Sequence, residues 1–325
     1  MSLKTLKNDP LPPPLRLVRG VPRRALPPSI LTIGTFDGLH LGHGALIART
    51  VECARAMGLA AGLLTFEPMP REVLKPEAPP ASLTNFRERW QLLAHSGLER
   101  LHLLTFNARL RSKSGAQFMA VLRELGARVI IVGHDFRFGR NGEATAEWCA
   151  AEARHFGFEV EIIAPVLVAG ERVSSGLVRD ALAAGELARA AQLLGRPYTM
   201  RARVRRGAQL GRTLGYPTAN LGLVRRRTPL DGIFAVRVRG AALPGAAVAG
   251  WPAVASLGTR PTVAGVEPLL EVHLFDFQAD LYGAELEIEF VARLRQELRF
   301  ASLELMVAQM HRDAAAARAA LAPLG

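Results

Sequence analysis

Ile30-Leu31-Thr32-Ile33-Gly34-Thr35-Phe36-Asp37-Gly38-Leu39-His40-Leu41-Gly42-His43 begins as an apolar run and ends in helical spacing, which Leu46, Ile47 and Val51 continue toward Met57. The stretch reads as a strand, a turn lined by Gly and His, and a helix beginning near Gly42. Such a join turns backbone N–H groups and the positive end of a helix dipole toward a ligand, which favours an anion. Gly34 and Gly38 let a phosphate approach the backbone closely. His40 and His43, three residues apart, can converge on one phosphate. Imidazole donors there suit charge developing on a pentavalent α-phosphate as pyrophosphate departs, chemistry that needs no protein nucleophile. Two His at this spacing could also hold zinc or serve packing alone. No further Cys or His cluster supports the metal.

Working outward, strand and helix patterns alternate from residue 30 to about 165. Leu59–Phe66, Leu101–Phe106, Val129–Val132 and Val160–Ile163 read as strands. Asn85–His95, Ala116–Leu125 and Ala144–Phe156 read as helices. Repeated βα units predict a parallel sheet with helices on both faces. Pro68–Pro80 breaks the alternation and is expected to be a mobile loop. Ser174–Leu194 reads as two helices with a turn at Gly185, and Gly195-Arg196-Pro197 is a helix stop and a natural boundary.

Beyond it the texture changes to short strands: Tyr198–Val204, Ile233–Arg239, Ala253–Leu257, Leu269–Phe275 and Glu285–Phe290. In the last of these, Leu286, Ile288 and Phe290 alternate with Glu285, Glu287 and Glu289, the pattern of a half-buried strand. An Ala-rich helical stretch, Ser302–Leu321, follows. Together they predict a small β-barrel closed by a helix. A second Gly-rich loop, Gly211-Arg212-Thr213-Leu214-Gly215-Tyr216-Pro217-Thr218-Ala219-Asn220, enters this segment. Thr218 and Asn220 offer neutral oxygens suited to Mg²⁺ that also holds ATP phosphates, and Gly207, Gly211 and Gly215 would let the loop fold over those phosphates.

The bulk properties set limits. A length of 325 residues fits two domains, and 49% hydrophobic with 22% charged residues belongs to a chain with sizeable cores. No apolar run approaches the ~18 residues that span a bilayer, so no membrane partner is expected. Residues 1–14 read as a loose tail without the layout of a signal peptide. Cys53 and Cys149 are far apart and read as small buried hydrophobes in a reducing compartment, which makes the cytoplasm the default location. Net charge is +12, and all but four of the 41 basic residues are arginines. They are scattered, densest at Arg201–Arg206 and Arg225–Arg227, with few aromatics between them. The excess reads as compositional bias plus affinity for phosphorylated ligands, with nucleic-acid binding the alternative of a different class.

The motif Thr32-x-Gly34-x-Phe36-Asp37-Gly38-x-His40-x-Gly42-His43 resembles the nucleotidyltransferase signature of bacterial bifunctional riboflavin kinase/FAD synthetases. Phe66-Glu67-Pro68, Val132-Gly133-His134-Asp135-Phe136-Arg137-Phe138-Gly139 and Val173-Ser174-Ser175-Gly176-Leu177-Val178-Arg179 follow in the family's order. The resemblance implies ATP contacts from Gly34, Thr35, Phe36, Asp37, Gly38, Asp135, Ser174, Ser175 and Arg179, with His40 and His43 catalytic. The family usually has Asn at Thr35, often His at Met69, and Thr at Gly176. The lost hydroxyl at Gly176 keeps open a second enzymatic reading, a kinase with a degenerate adenylylating half.

The Pro217-Thr218-Ala219-Asn220 loop resembles the kinase half of the same family. Leu257–Thr262, Leu270–Phe275, Asp280-Leu281-Tyr282-Gly283 and Leu294–Phe300 also match its motifs. The resemblance implies Thr218 and Asn220 as Mg²⁺ ligands and Gly207, Gly211, Arg212, Gly215 and Pro217 as kinase ATP contacts. It implies Glu271 as the base that takes the riboflavin 5′-hydroxyl proton, with Arg295 and Phe300 at the flavin. The expected fold is α/β then β: a Rossmann-like nucleotidyltransferase domain over 15–195 and a riboflavin-kinase-type barrel with a C-terminal helix over 196–325. The expected ligands are riboflavin, FMN, FAD and ATP, with Mg²⁺ at both sites.

Overall fold

The computed structural model describes residues 14–207, 215–243, 249–262 and 265–322. They form two compact units: residues up to Pro79 with Arg89–Arg172, and Pro80–Glu88 with residues from Val173 onward. The expected first domain ran to 195; by contacts, residues 173–195 group with the barrel.

The first unit is a six-stranded parallel sheet. Its strands are β1 (Arg16–Arg19), β2 (Ser29–Ile33), β3 (Ala60–Glu67), β4 (Arg100–Thr105), β5 (Ala127–Gly133) and β6 (Glu159–Ile163), in the order β1-β4-β3-β2-β5-β6. Strand β2 is buried at every residue, as a central parallel strand covered on both faces must be. Ile30 and Leu31 are completely buried, each contributing roughly 1.5–3 kcal/mol. The helices are α1 (Leu41–Met57), α2 (Pro70–Leu74), α3 (Phe86–Leu93), α4 (Ala108–Arg111), α5 (Gly115–Glu124) and α6 (Ala146–Glu152). Phe118, Met119, Leu122 and Cys149 pack with Ile130 and Val132 in the core.

Two local expectations need correction. The run Pro68–Pro80 is not loop throughout: Pro70 opens α2, where its missing N–H and fixed φ suit the first helical position, and Glu72 caps the Met69 N–H at 3.0 Å. Strand β1 was not foreseen. Its sequence Arg-Leu-Val-Arg carries little apolar pattern, and it sits at the sheet edge with both arginines exposed.

In the second unit a closed antiparallel barrel is built from β7 (Thr199–Arg205), β8 (Ala219–Gly222), β9 (Gly232–Arg239), β10 (Trp251–Thr262), β11 (Gly265–Leu274) and β12 (Glu285–Arg295). Neighbours run β7-β8-β11-β10-β9-β12, and β12 pairs back onto β7. Leu286, Ile288 and Phe290 point inward. Glu285, Glu287 and Glu289 lie outside, where they pair with Arg87, Arg201 and Arg239. Helix α9 (Leu303–Leu321), capped by Ser302, lays Ala317 and Leu321 on Ala235 and Phe275. Helices α7 (Ser175–Ala184) and α8 (Leu187–Leu194) end on left-handed Gly185 and Gly195.

One buried ion pair organises this unit. Arg225, from the sequence's second basic cluster, is 1% exposed and grips Glu88 through two bonds of 2.7 and 2.6 Å. Glu88 also accepts the Arg201 N–H, and Arg225 reaches Tyr198 Oη and the Leu83 carbonyl. A charge this deeply buried requires several such partners. Arg225 is thereby withdrawn from any surface that could meet a polyanion.

Candidate functional site

In the first unit the chain runs from β2 out through β3 and β4, then returns to place β5 on the other side of β2. The switch point of the sheet is thus between β2 and β5, where the connections diverge and leave a crevice at the carboxyl ends of the strands. Two of the quoted motifs leave the sheet there: Gly34–His43 after β2 and Gly133–Asp135 after β5.

The β2–α1 turn is held mostly by its own backbone. The Gly34 N–H continues the sheet to the Leu64 carbonyl at 3.1 Å. Phe36, Gly38 and Leu39 have φ of 50°, 82° and 42°, all left-handed. The Phe36 ring is fully buried and folds back so far that a Cβ at Gly34 would lie 3.2 Å from it. Asp37 is 1% exposed. His40 caps α1, its Nδ1 accepting the His43 N–H at 3.3 Å. The two imidazoles stack with centroids 3.7 Å apart, and Phe36 closes on His43 at 4.9 Å. The first turn of α1 itself carries no carboxylate.

Burial, reinforced by His40, holds the His43 pKa well below the usual imidazole value. The ring is therefore neutral at pH 7 and carries one proton. Its Nδ1 is sealed without a hydrogen-bond partner, which leaves Nε2 as the nitrogen that can meet a ligand. Two stacked imidazoles, one of them resistant to protonation, make a short donor platform beside the left-handed turn.

Asp135 stands at the crevice edge after β5, exposed and paired with Arg172 at 2.9 Å. Ser174, Ser175 and Arg179 belong to the barrel unit. There the Ser174 Oγ accepts the Leu177 N–H at 3.2 Å as the α7 cap, Ser175 opens the helix, and Arg179 donates to the Ala81 carbonyl at 2.6 Å.

In the barrel, closure brings together residues that are far apart in sequence. Asn220 on β8 lies directly opposite Glu271 on β11, and Glu271 lies opposite Ser256 on β10. Directly paired residues share a face, with Cβ atoms ~4.5–5.5 Å apart. Leu221, Leu270 and Val272 take the buried inner face, so Asn220 and Glu271 share the outer one. A Cβ at Gly207 would come within 2.4 Å of the Asn220 Cγ; the carboxamide lies against that glycine's backbone.

The loop before β8 is anchored from two sides. His273 donates Nδ1–H to the Pro217 carbonyl at 2.9 Å, and Tyr216 Oη meets His311 Nδ1 of α9 at 2.6 Å. Thr218 is half-buried between them, and Gly215 takes φ 80°. Gly211 and Arg212 lie outside the described residues. Arg295 is committed to Asp313 of α9 by bonds of 2.9 and 2.6 Å and to the Gln296 carbonyl at 2.8 Å. A phosphate contact from it would have to displace Asp313. Its guanidinium also stands 5.9 Å over the Phe300 ring.

Among the described residues no three His, Cys, Asp or Glu side chains group as metal ligands. Thr218, Asn220 and neighbouring Glu271 are hard oxygen donors of the kind Mg²⁺ takes together with phosphates and water. The β2–α1 turn offers two imidazoles and the buried Asp37 carboxylate. Cys149 is buried and its thiol pushed up to about 12, whereas Cys53 is only half-buried; neither forms a disulfide. No helix among the described residues is long and apolar enough to cross a membrane.

Comparison with known proteins separates the same two halves. The family described as FAD synthetase matches residues 23–177, and the riboflavin kinase family matches 194–321. The bifunctional riboflavin kinase/FMN adenylyltransferase of Pseudomonas fluorescens is 44% identical over 297 residues, covering 90% of this chain and 93% of that protein. Its Escherichia coli K12 counterpart is 38% identical over 312 residues, covering 94% and 97%. A crystal structure described as a macrolide-efflux protein from Streptococcus pneumoniae has a TM-score of 0.78 at 32% identity, covering 94% of this chain and 98% of that one. With both family halves in order along almost its full length, the chain belongs to the bifunctional riboflavin kinase/FMN adenylyltransferases.

Proposed function

We propose that the two reactions are divided between residues 15–195 and 196–325. The barrel half phosphorylates riboflavin to FMN with ATP, and the parallel-sheet half adenylylates FMN to FAD. The observation that carries this division is the pairing of Asn220 with Glu271 on one barrel face, separate from the His40–His43 platform at the sheet's switch point.

In the kinase reaction Glu271 accepts the proton of the 5′-hydroxyl as that oxygen bonds to the γ-phosphorus of ATP and ADP leaves. Thr218 and Asn220 would hold Mg²⁺ through neutral oxygens, and the ion would neutralise charge on the phosphates. Gly207, Gly215 and Pro217 shape the loop over the nucleotide, with Gly211 and Arg212 assigned from the motif alone. Phe300 packs on the flavin ring, while Arg295 holds that segment to α9.

In adenylylation a phosphate oxygen of FMN attacks the α-phosphorus of ATP, and the bond to the β-phosphate oxygen breaks to release pyrophosphate. No proton has to be abstracted from an ionised phosphate. The site's work is electrostatic: backbone N–H groups of the turn beyond Gly34 and Nε2–H of His43 donate to the crowded α-phosphate. Asp135, Ser174, Ser175 and Arg179 are assigned to ATP from the motifs alone. Asp37 is the one carboxylate of the turn, and Mg²⁺ at this half would arrive on the ATP phosphates. A cytoplasmic location is our reading, supported by the use of ATP and by two cysteines that stay as thiols.

The decisive assay supplies riboflavin, ATP and Mg²⁺ and follows products by chromatography. FMN should rise first and then decline as FAD accumulates. FMN without FAD, even when FMN is supplied, would establish the degenerate alternative prompted by Gly176. Salt-sensitive nucleic-acid binding without flavin turnover would overturn both.

A further inference from the structure

Arg89 sits in Asn85-Phe86-Arg87-Glu88-Arg89-Trp90, where a charged helical residue would ordinarily face water. Here it is 1% exposed, the largest side chain among those fully buried. Burying a guanidinium is costly unless it is both paired and hydrogen-bonded. Its partners are specific: one nitrogen bonds to the Glu67 carboxylate at the end of β3, and another donates to the Thr35 main-chain carbonyl at 3.2 Å. That carbonyl also accepts the hydroxyl of Thr65, itself 2% exposed, at 3.2 Å.

The choice of the Thr35 carbonyl has a geometric consequence. A peptide is planar and trans, so the Thr35 C=O and the Phe36 N–H point in opposite directions. Fixing the carbonyl on the Arg89 and Thr65 side directs the Phe36 N–H away from that side. Phe36 is also the first of the three left-handed residues of the turn, and a non-glycine residue in that region is strained by roughly 1–3 kcal/mol. Successive N–H groups in such a turn form an anion-binding concavity only while the peptides keep their orientation.

We propose that Arg89 is a positioning residue for adenylyl transfer: paired with Glu67, it locks the Thr35–Phe36 peptide so that the turn presents its N–H groups to the ATP phosphates. The inference rests on the reading of the β2–α1 turn as the phosphate site.

The test uses the full-length enzyme with FMN supplied and FAD formation measured. Arg89→Met should lower kcat on the order of 100-fold, the loss typical of a misplaced oxyanion donor, with the KM for FMN within about twofold. FMN formation from riboflavin should be unchanged. Arg89→Lys, which keeps the charge and one donor, should recover at least about tenfold of that loss. Arg89→Met/Glu67→Gln removes the unpaired carboxylate, so it should regain thermal stability without regaining kcat. Recovery of kcat together with stability would mean that Arg89 is only structural and would overturn the proposal. So would wild-type kcat in Arg89→Met; if that variant does not fold, the lysine and double variants carry the test. His43→Ala, assayed alongside, separates the two levels. Undiminished FAD formation there would sink the phosphate-site reading itself, whereas a loss there with none in the Arg89 variants would sink the Arg89 inference alone.

Discussion

The two sites of this enzyme are built in different ways. At the β2–α1 turn, the ten consecutive residues Gly34–His43 supply backbone N–H groups, strained φ angles and two stacked imidazoles. In the barrel, Asn220 and Glu271 are brought face to face by strand register. The first kind of site depends on how each peptide is oriented; the second depends on whether a strand slips. A backbone-built site should therefore yield to changes behind the turn, and a register-built site to single side chains on its face. The contrast also follows the chemistry. Phosphoryl transfer to an alcohol needs a base, whereas transfer of AMP to an ionised phosphate needs only donors.

The largest effect tests the register-built half. Glu271→Gln keeps the shape of the side chain but cannot take a proton. FMN formation should fall on the order of 1,000-fold, the scale of a lost general base, while FAD formation from supplied FMN continues at the parent rate. Persistent FMN formation would leave Glu271 as an ordinary outer-face strand residue. Loss of both activities would break the separation of the sites.

The converse substitution is smaller because the donors act as a group. His43→Ala should slow FAD formation on the order of 100-fold and spare the kinase. Because burial depresses the His43 pKa, kcat/KM for adenylylation should fall near pH 6 only as far as the second ionisation of the substrate phosphates, about pH 6, requires. A steeper loss of rate there, absent from His43→Ala, would mean that the ring protonates normally and is open to water.

The sequence made the two halves unequally readable. The first site was legible because its strand, turn and helix are contiguous and each has a strong local signal. Asn220 and Glu271 lie on strands that meet only when the barrel closes, so no spacing could show that they are opposed; the motifs suggested both residues without saying that they touch. The buried arginines were invisible for another reason. Arg89 and Arg225 look like any of the scattered arginines, and only their partners Glu67 and Glu88 set them apart. Pro70 was read as a breaker because proline interrupts a helix interior, yet at the first helical position it does the opposite.

A finer probe of register asks how tightly the barrel fixes the Asn220 carboxamide, proposed above as a Mg²⁺ ligand. At Gly207 any Cβ would overlap the Asn220 side chain, so Gly207→Ala forces that carboxamide to rotate. The kinase kcat/KM should drop about tenfold, equivalent to about 1.4 kcal/mol, with adenylylation unaffected. An unchanged kinase would show that the Asn220 carboxamide tolerates displacement, and its assignment as a metal ligand would fall.

The smallest effect concerns stability and sharpens the contrast from the side of the sheet. His102 on β4 is fully buried, with neither ring nitrogen hydrogen-bonded, and its pKa is pushed down to about 4 by burial and, secondarily, by Arg100. The unfolded imidazole takes its proton near pH 6.5, whereas the native one resists until about pH 4. Between these values the unfolded chain binds more protons, so stability is lost as pH falls. The loss should reach about 2 kcal/mol at pH 5 relative to pH 7, with no further gain above pH 7. His102→Leu removes the titrating group. In urea unfolding of the parallel-sheet unit, the variant should therefore gain about 2 kcal/mol on the parent between pH 7 and pH 5. A difference that stays constant with pH would mean that water reaches His102. The central strands would then not be the sealed platform that a backbone-built phosphate site requires.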